Sequence, residues 1–266
     1  MRAKNRLVRA PIRSALRALV PRRTRRVLGA RVTRARVKAD SILADPLQLR
    51  RPALRRNCPI CDYRGRFWSF GAAPRPEALC PSCFSLERHR LFHLLLLHHG
   101  RRWLAGKRVL HFAPEGAARP ALDELATCVT ADIAGDGVDC RCGMEAMPFP
   151  DRSFDAVIAN HVLEHVEDDL RAMRELRRVI RTGGIAILSV PVVQGWERTY
   201  ENTRIQSPDQ RRVHFGQADH RRFYGRDFTA RLEHAGLTVD RFQMDPPSEI
   251  AFGLRRGDCL FVARPR

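Results

Sequence analysis

The pattern of apolar and polar positions predicts a strand, a helix and a second strand in the middle of the chain. Residues 155–160 form a short apolar run of strand type, and residues 185–190 form another that is apolar enough for burial on both faces. Between them, from residue 170 to 180, apolar side chains recur at the spacing of an amphipathic helix. We expect Gly183 and Gly184 to end this helix as left-handed cap residues. Strands and helices that alternate in this way indicate an α/β fold.

Apolar runs elsewhere predict more elements of the same kinds. Further strands are expected at residues 108–112, 127–133, 138–142, 237–242 and 259–263. Further helices are expected from Ser85 to about residue 98, after the 113–116 loop to about residue 125, and from Asp227 to Gly236. Ser and Asp commonly cap a helix N-terminus, and Gly commonly ends a helix.

Residues 147–191 resemble a known enzyme family. The segment reads MPFPDRSFDAVIANHVLEHVEDDLRAMRELRRVIRTGGIAILSVP. It is similar to the second half of a class I S-adenosylmethionine-dependent methyltransferase of the type 11 kind, in which a PF-D-x-SFD-x-V strand leads into a VLEHV segment, a helix and a glycine-led strand. The resemblance implies a seven-stranded, mostly parallel, Rossmann-like methyltransferase sheet with helices on both faces and an antiparallel last strand.

Three other segments match one sub-group of that family. They are HFAPE at residues 111–115, a pair of C-x-x-C motifs between residues 58 and 83, and HFGQADHRRFYG at residues 214–225. With them, the resemblance covers residues 57–265. We therefore divide the chain into a basic arm at residues 1–56, a zinc-ribbon-like module with a linking helix at residues 57–100, and a methyltransferase domain at residues 101–266.

Two C-x-x-C pairs precede the predicted domain. Their cysteines are Cys58, Cys61, Cys80 and Cys83, with eighteen residues between the pairs. This is the spacing of a zinc ribbon, in which four thiolates close a tetrahedral structural site without an open position. We therefore expect one structural Zn²⁺ at these cysteines. The alternative is a pair of redox disulfides or unliganded thiols.

Positive charge is concentrated at the beginning of the chain. The net charge is +19, and residues 1–56 carry 18 of the 48 Lys and Arg residues but only two acidic residues. We favour a solvated, partly disordered leader here, because Pro11 and Pro21 leave only short helical pieces. The alternatives are an arm that binds nucleic acid or an anionic membrane surface, and a mitochondrial-type targeting peptide.

The lengths of the apolar runs and the number of cysteines indicate the cellular compartment of the protein. No run of about eighteen apolar residues occurs, so no membrane span is expected. The closest candidate, residues 91–97, is interrupted by His93. Eight cysteines without a secretory signal favour a reducing compartment. We therefore expect a cytoplasmic protein.

The resemblance places the methyl donor at the carboxyl ends of the first strands. The first loop departs from the family pattern, because His111 stands where an acidic residue is usual, and Ala113 and Glu115 replace glycines. Asp132, at the end of the second strand, is expected to accept hydrogen bonds from both ribose hydroxyls. The expected cofactor-binding residues are His111, Ala113, Pro114, Glu115, Gly116, Asp132, Ile133, Met144, Glu145, Asn160 and His161.

A His-x-x-Glu-His sequence follows the fourth strand, at His161, Glu164 and His165. Imidazole and carboxylate groups in one cluster are suited to a divalent metal. We favour the alternative, in which these side chains hydrogen-bond the turn and form one wall of the adenosyl pocket.

A long polar insertion at residues 192–226 is expected to form a lid or substrate wall on the acceptor side. Methyl transfer to a hydroxyl or amine needs a base for the proton, and imidazole suits this role at neutral pH. The candidates are His214 or His220 as the base, Asp219 to orient an imidazole, and Tyr200 or Tyr224 to shape the pocket. The alternative is that these residues only hydrogen-bond the lid in place.

The sequence thus predicts an enzyme that moves a methyl group from S-adenosylmethionine to an O or N atom of an unidentified acceptor. A small molecule or a glycan is favoured over RNA, because the cysteine module has modest charge and few aromatic side chains for base stacking. One alternative is an RNA methyltransferase with a zinc module and a basic arm. The other is a non-catalytic zinc- and nucleic-acid-binding protein on a methyltransferase fold that no longer turns over.

Overall fold

A computed structural model of the chain describes residues 22–52, 54–71, 73–117, 119–135 and 137–266, so residues 1–21 of the predicted arm lie outside it. The described strands are β1 (Arg56–Asn57), β2 (Arg64–Gly65), β3 (Trp68–Phe70), β4 (Arg75–Leu79), β5 (Arg108–Phe112), β6 (Thr127–Asp132), β7 (Cys140–Arg141), β8 (Phe154–Asn160), β9 (Ile180–Ser189), β10 (Tyr200–Glu201), β11 (Arg222–Phe223), β12 (Leu237–Phe242) and β13 (Leu260–Pro265). The described α-helices are α1 (Arg22–Ala44), α2 (Glu87–Leu95), α3 (Arg101–Leu104), α4 (Arg119–Asp123), α5 (Asp169–Val179), α6 (Pro208–Phe215), α7 (Phe228–His234) and α8 (Pro246–Phe252).

Seven of these strands form one central sheet in the order β12–β13–β9–β8–β5–β6–β7. The strands from β9 to β7 are parallel to one another, and β13 runs antiparallel to both of its neighbours. The predicted α/β fold with a seven-stranded, mostly parallel sheet is confirmed. From the centre, the chain fills the sheet in one direction through β5, β6 and β7, and in the other through β8 and β9. The order therefore reverses between β5 and β8.

Helices cover both faces of the sheet, because successive residues of a strand point to opposite sides. On β5, Leu110 packs in a hydrophobic cluster with residues of α5 and α7. The preceding residue, Val109, packs in a second cluster with residues of α2 and α4. Both side chains are fully buried. This two-sided burial explains why the central strands have continuous apolar sequences.

The predicted glycine cap of α5 is wrong. α5 ends at Val179, and Ile180 already has extended backbone angles (φ −82°, ψ 134°). Gly183 and Gly184 lie inside β9, where the register against β8 shifts. Gly183 has a left-handed φ of 78°. A Cβ on Gly184 would lie 2.5 Å from the Asp155 carbonyl oxygen. The irregular start of the strand therefore requires both glycines.

Ser85 does not cap α2, contrary to the sequence prediction. α2 begins at Glu87 with Leu86 as the N-cap residue, and it continues beyond its end as a five-residue π-helical turn. Ser85 is buried, and its hydroxyl oxygen lies 3.2 Å from the Cys83 sulfur and 3.5 Å from the Cys58 sulfur. This serine therefore belongs to the cysteine cluster.

The apolar pattern does not predict two short helices, α6 and α8. α6 begins after Ser207, which forms a reciprocal capping box with Gln210. α8 begins after Asp245, whose carboxylate accepts a hydrogen bond from the Ser248 N–H at 2.8 Å. The capping residues of both helices can be recognised in the sequence. Neither helix buries a full apolar stripe, and the apolar periodicity therefore does not predict either helix.

The described part of the basic arm packs against the cysteine module. The chain after Pro21 forms α1, a 23-residue helix, instead of the short helical pieces expected. Arg34 on this helix donates to the Pro81 carbonyl oxygen at 2.8 Å. The Asp45 carboxylate accepts from the Ser69 hydroxyl at 2.6 Å, and Asp45 is buried. The arm is therefore helical from Arg22 to Ala44, and it contacts the cysteine module through Arg34 and Asp45. Among the described residues, no helix combines the length and apolar character needed to cross a membrane.

Candidate functional site

A cleft of about 470 Å³ opens at the carboxyl ends of β5 and β8. Its lining residues come from α2, from the turns after β5 and β8, from the segment between α6 and β11, and from the loop before β13. The strand order reverses between β5 and β8, and open α/β sheets bind ligands at such a reversal. The cleft is therefore the candidate active site.

Two residues with left-handed backbones form the floor of the cleft. Ala113 follows β5 with a φ of 45°, and His161 follows β8 with a φ of 55°. A left-handed non-glycine residue costs about 1–2 kcal/mol and is common at functional sites. Main-chain hydrogen bonds of 2.8 Å hold both turns, from Ala113 to Ala131 and from His161 to Ser189. The loop after β5 thus makes its tight turn without the glycine that the family pattern has there.

Four of the eleven predicted cofactor residues line the cleft, and seven lie outside its lining. The lining residues are Ala113, Glu115, Asn160 and His161. The others are His111, Pro114, Gly116, Asp132, Ile133, Met144 and Glu145. The cleft therefore collects residues from the ends of β5 and β8, whereas the residues after β6 and β7 lie farther along the same edge of the sheet.

Ion pairs of Glu115 connect the loop after β5 to α2. Its carboxylate lies 2.6 Å from the Arg88 guanidinium and 3.0 Å from the His89 imidazole. Burial raises the pKa of Glu115, but hydrogen bonds from His89 and Arg88 outweigh burial and lower it to about 2. The carboxylate is therefore ionised at neutral pH, and the helix that follows the cysteine module holds this loop in place.

Asp132 lies at the carboxyl end of β6, the strand next to β5. Its Oδ1 atom accepts hydrogen bonds from the N–H groups of Ala134 and Gly135, at 2.9 and 3.0 Å. The following residue, Ile133, is 72% exposed. The turn fixes the carboxylate at the edge of the sheet, outside the lining of the cleft, and the ribose contact stays a prediction.

Three other predicted cofactor residues are buried in the protein or hydrogen-bonded to its main chain. His111 is 3% exposed, and burial lowers its pKa to about 4, so its imidazole is neutral at pH 7. Met144 is buried in the core. The Glu145 carboxylate accepts from the Asp168 N–H at 2.8 Å, at the beginning of α5. These contacts stabilise the loops around the cleft.

The acceptor-side insertion brings His220, but not His214, to the cleft. His220 is buried in the cleft wall. His214 is exposed on α6, where its Nδ1 lies 2.8 Å from the Tyr200 hydroxyl. The Asp219 carboxylate lies 3.3 Å from Nδ1 of His165. The imidazole beside this carboxylate is therefore His165.

Tyr224 does not shape the pocket, contrary to the sequence prediction. It is fully buried, and its hydroxyl donates to the Asp169 carboxylate at 2.9 Å. Arg231 donates twice to the same carboxylate, at 2.9 and 2.6 Å. Burial and the Asp169 charge raise the pKa of Tyr224. These three side chains connect α5 to α7 and stabilise the core behind the cleft.

The sequence did not predict two residues of the opposite wall of the cleft. Arg255 and Asp258, from the loop before β13, line it and lie 3.8 Å apart. Burial raises the pKa of Asp258 to about 6, although Arg255 opposes the shift. A carboxyl group that titrates near neutrality is a candidate for proton transfer. No local pattern marks these residues, because only the fold brings their loop to the end of β5.

The four predicted zinc ligands lie together in the cysteine module. The sulfur atoms of Cys58 and Cys83 are 3.6 Å apart, and those of Cys61 and Cys80 are 3.7 Å apart. All four sulfurs lie within 4.8 Å of one another. Four thiolates about 2.3 Å from one tetrahedral Zn²⁺ are separated by about 3.8 Å, whereas a disulfide bond is about 2.05 Å long. The cysteines are free thiols with the spacing of a metal site.

The segment that builds the cleft floor is similar to methyltransferases. Residues 108–188 match a family model described as a methyltransferase domain. A ubiquinone/menaquinone biosynthesis C-methyltransferase UbiE from Xanthomonas oryzae pv. oryzae is 48% identical over 46 residues, which is 17% of this chain and 18% of that protein. A demethylmenaquinone methyltransferase from Corynebacterium urealyticum is 35% identical over 111 residues, covering 36% of this chain and 48% of that protein.

The chain thus spans only part of its curated relatives, less than one fifth of the first and less than half of the second. Among solved structures, the YcgJ protein from Bacillus subtilis superposes with a TM-score of 0.46 and 18% identity, covering 66% of this chain and 98% of that chain. The family match lies on β5 to β9, which include the strands that end at the cleft. Residues 108–188 are therefore similar to a methyltransferase domain.

Proposed function

We propose that the chain is an S-adenosylmethionine-dependent methyltransferase that acts on an O or N atom of a small molecule or a glycan. The position of the cleft carries this proposal, because it lies at the carboxyl ends of β5 and β8 within the matched methyltransferase segment. Parallel sheets bind nucleotide-like ligands at this reversal of strand order. The names of the curated relatives support methyl transfer in general, and the Xanthomonas protein is named a C-methyltransferase.

The residues present suit an adenosyl ligand. Ala113, at a left-handed turn, lines the cleft, and Asp132 stands at the end of the next strand, where we propose that its carboxylate binds the ribose hydroxyls. Asn160 and His161 line the cleft from the end of β8. When bound, S-adenosylmethionine supplies an electrophilic methyl carbon on a positively charged sulfur. The protein orients the acceptor toward that carbon and excludes water from the cleft.

The chemistry of the cleft supports an O or N acceptor. A hydroxyl or amine must lose a proton when it is methylated, and His220 and Asp258 present titratable groups to the cleft. The volume of about 470 Å³ suits a small ligand.

We also propose that Cys58, Cys61, Cys80 and Cys83 bind one structural Zn²⁺. Support comes from their sulfur separations and from the Ser85 hydroxyl beside the cluster. A four-thiolate site has no open position for chemistry. The ion would therefore stabilise the module and the helix α2 that follows it.

Calorimetric titration with S-adenosylmethionine tests the proposed function. The wild-type chain is expected to bind, and Asp132→Ala is expected to bind about 10- to 100-fold more weakly, because hydrogen bonds to a charged carboxylate contribute about 1.5–3 kcal/mol. Asp240→Ala is the control, since that carboxylate is 76% exposed on the edge strand β12 and forms an ion pair with Arg264. Absence of binding by the wild type would contradict the enzyme proposal and favour the non-catalytic alternative.

Replacing the two acceptor-side histidines separates their roles. His220→Gln is expected to reduce the methyl transfer rate about 10²- to 10⁴-fold, the usual contribution of a proton-transfer group. His214→Gln is expected to leave the rate almost unchanged, because His214 contacts Tyr200 outside the cleft. Incorporation of labelled methyl groups into fractionated cell extract measures both, with cofactor affinity checked in parallel. Unchanged rates in both variants would exclude the role of His220.

A further inference from the structure

Glu164, His165 and His220 form a compact cluster on the acceptor wall of the cleft. One potential ligand atom of each lies within 4.8 Å of those of the other two. The rings of His165 and His220 meet edge to face, with centroids 4.7 Å apart. All three residues line the cleft. An ion held among them would therefore contact a bound acceptor.

Two atoms of this cluster are buried without a hydrogen-bond partner among the described residues. They are Oε2 of Glu164 and Nδ1 of His220. Glu164 is 1% exposed and His220 is 5% exposed. Polar atoms buried in this way are costly unless a ligand satisfies them. A carboxylate oxygen and an imidazole nitrogen that are both buried without a partner, on residues that line one cleft, are suited to share a cation.

Contacts with neighbouring side chains hold the members of the cluster in position. Oε1 of Glu164 lies 3.0 Å from Nδ1 of His161, which orients the carboxylate. The Asp219 carboxylate lies 3.3 Å from Nδ1 of His165. Contacts of this kind, from a second side chain to a ligand, are typical of metal sites.

Hydrogen bonds to main-chain carbonyl oxygens join the two segments that supply the cluster. The Arg221 N–H donates to the Glu164 carbonyl oxygen at 2.9 Å. The Arg222 guanidinium donates to the carbonyl oxygens of Leu163 and Val166, at 2.9 and 2.7 Å. The segment before β11 is thus fixed on the turn after β8. His220 is therefore held next to Glu164 before any ligand binds.

We propose that Glu164, His165 and His220 bind one divalent transition-metal cation of the Mn²⁺, Fe²⁺ or Co²⁺ class. Two imidazoles and one carboxylate suit these ions and leave coordination positions open. The inference rests on the proposed function for the acceptor. An acceptor hydroxyl at an open position would be polarised by the cation and would release its proton to solvent more readily. His220 would then act as a ligand instead of a free base.

Titration of the full chain with Mn²⁺, followed by the electron paramagnetic resonance signal of the free ion, tests the site. His165→Gln and Glu164→Gln are each expected to weaken Mn²⁺ binding at least about 100-fold, since even outer contacts of a metal site contribute 10- to 100-fold. The side chain of His165 is 33% exposed, so this variant is expected to keep its fold, which circular dichroism verifies. His214→Gln is the matched control and should bind Mn²⁺ like the wild type.

The inference is overturned if the wild type binds no Mn²⁺, or if wild type, His165→Gln and Glu164→Gln bind it equally. Calorimetry with S-adenosylmethionine on the same samples separates this result from a failure of the proposed function. A chain that binds the methyl donor but no Mn²⁺ lacks the cation site only. A chain that binds Mn²⁺ through Glu164 and His165 but not the methyl donor supports the cation site and contradicts the methyltransferase proposal.

Discussion

Replacing Cys58 with Ser is expected to release the proposed zinc ion and to unfold the cysteine module. Cys58 is buried, and its sulfur lies beside those of the other cluster members. Structural zinc sites contribute about 10–16 kcal/mol of apparent binding free energy, and small modules of this kind fold only with the metal. The hydrophobic cluster around Phe67 and Cys80 is too small to replace that contribution.

The loss of zinc is also expected to disturb the loop after β5 that lines the cleft, because α2 follows the cysteine module directly and contacts this loop. Arg88 and His89 on this helix hold Glu115 in the loop after β5. Arg90, the next residue of this helix, is fully buried and donates to the Ala78 carbonyl oxygen at 2.9 Å. If the module unfolds, these contacts loosen together. Cys58→Ser should therefore lower both the melting temperature and the affinity for S-adenosylmethionine.

Metal analysis, thermal melting and calorimetry measure these three effects on the same preparation. Cys128→Ser is the matched control, because Cys128 is a partly buried cysteine on β6, outside the cluster. It should keep its zinc and its affinity for the methyl donor. Reduced wild-type protein without bound zinc, or a Cys58→Ser variant that retains it, would contradict the assignment.

Asp169→Ala is expected to lower the free energy of unfolding by about 3–5 kcal/mol, the usual cost of removing one partner of a buried ion pair. The Asp169 side chain is 3% exposed and pairs with Arg231 while it accepts from the Tyr224 hydroxyl. Its removal takes away the carboxylate that Arg231 and Tyr224 share, and leaves Arg231 with Glu201 at 3.0 Å and Tyr224 with the Leu163 carbonyl oxygen at 3.1 Å. Both groups keep the cost of burial but lose part of the compensating hydrogen bonds.

Urea unfolding monitored by circular dichroism measures this change. Asp209→Ala is the control, since the Asp209 side chain is 89% exposed and pairs with Arg212 on the surface of α6. A surface pair of this kind contributes about 0–1 kcal/mol. Equal stabilities of Asp169→Ala and the wild type would show that the Asp169 network does not stabilise the fold.

The apolar pattern determined the central sheet. β5 covers residues 108–112 and β12 covers residues 237–242, as predicted, because each strand must bury an uninterrupted apolar run. The spacing of the cysteine pairs likewise indicated the group of four thiols, since each C-x-x-C turn brings two sulfurs to one side. In both cases the information is local, and it can be read along the chain.

Only the tertiary structure decided which polar side chains meet in the cleft. The sequence offers His214 and His220 as equivalent candidates, but α6 directs the first to solvent and the segment before β11 directs the second to Glu164. Arg255 and Asp258 reach the same cleft from a distant loop. Periodicity reports whether a residue is buried within its own element. The partners of a loop side chain depend on long-range packing, which no local pattern contains.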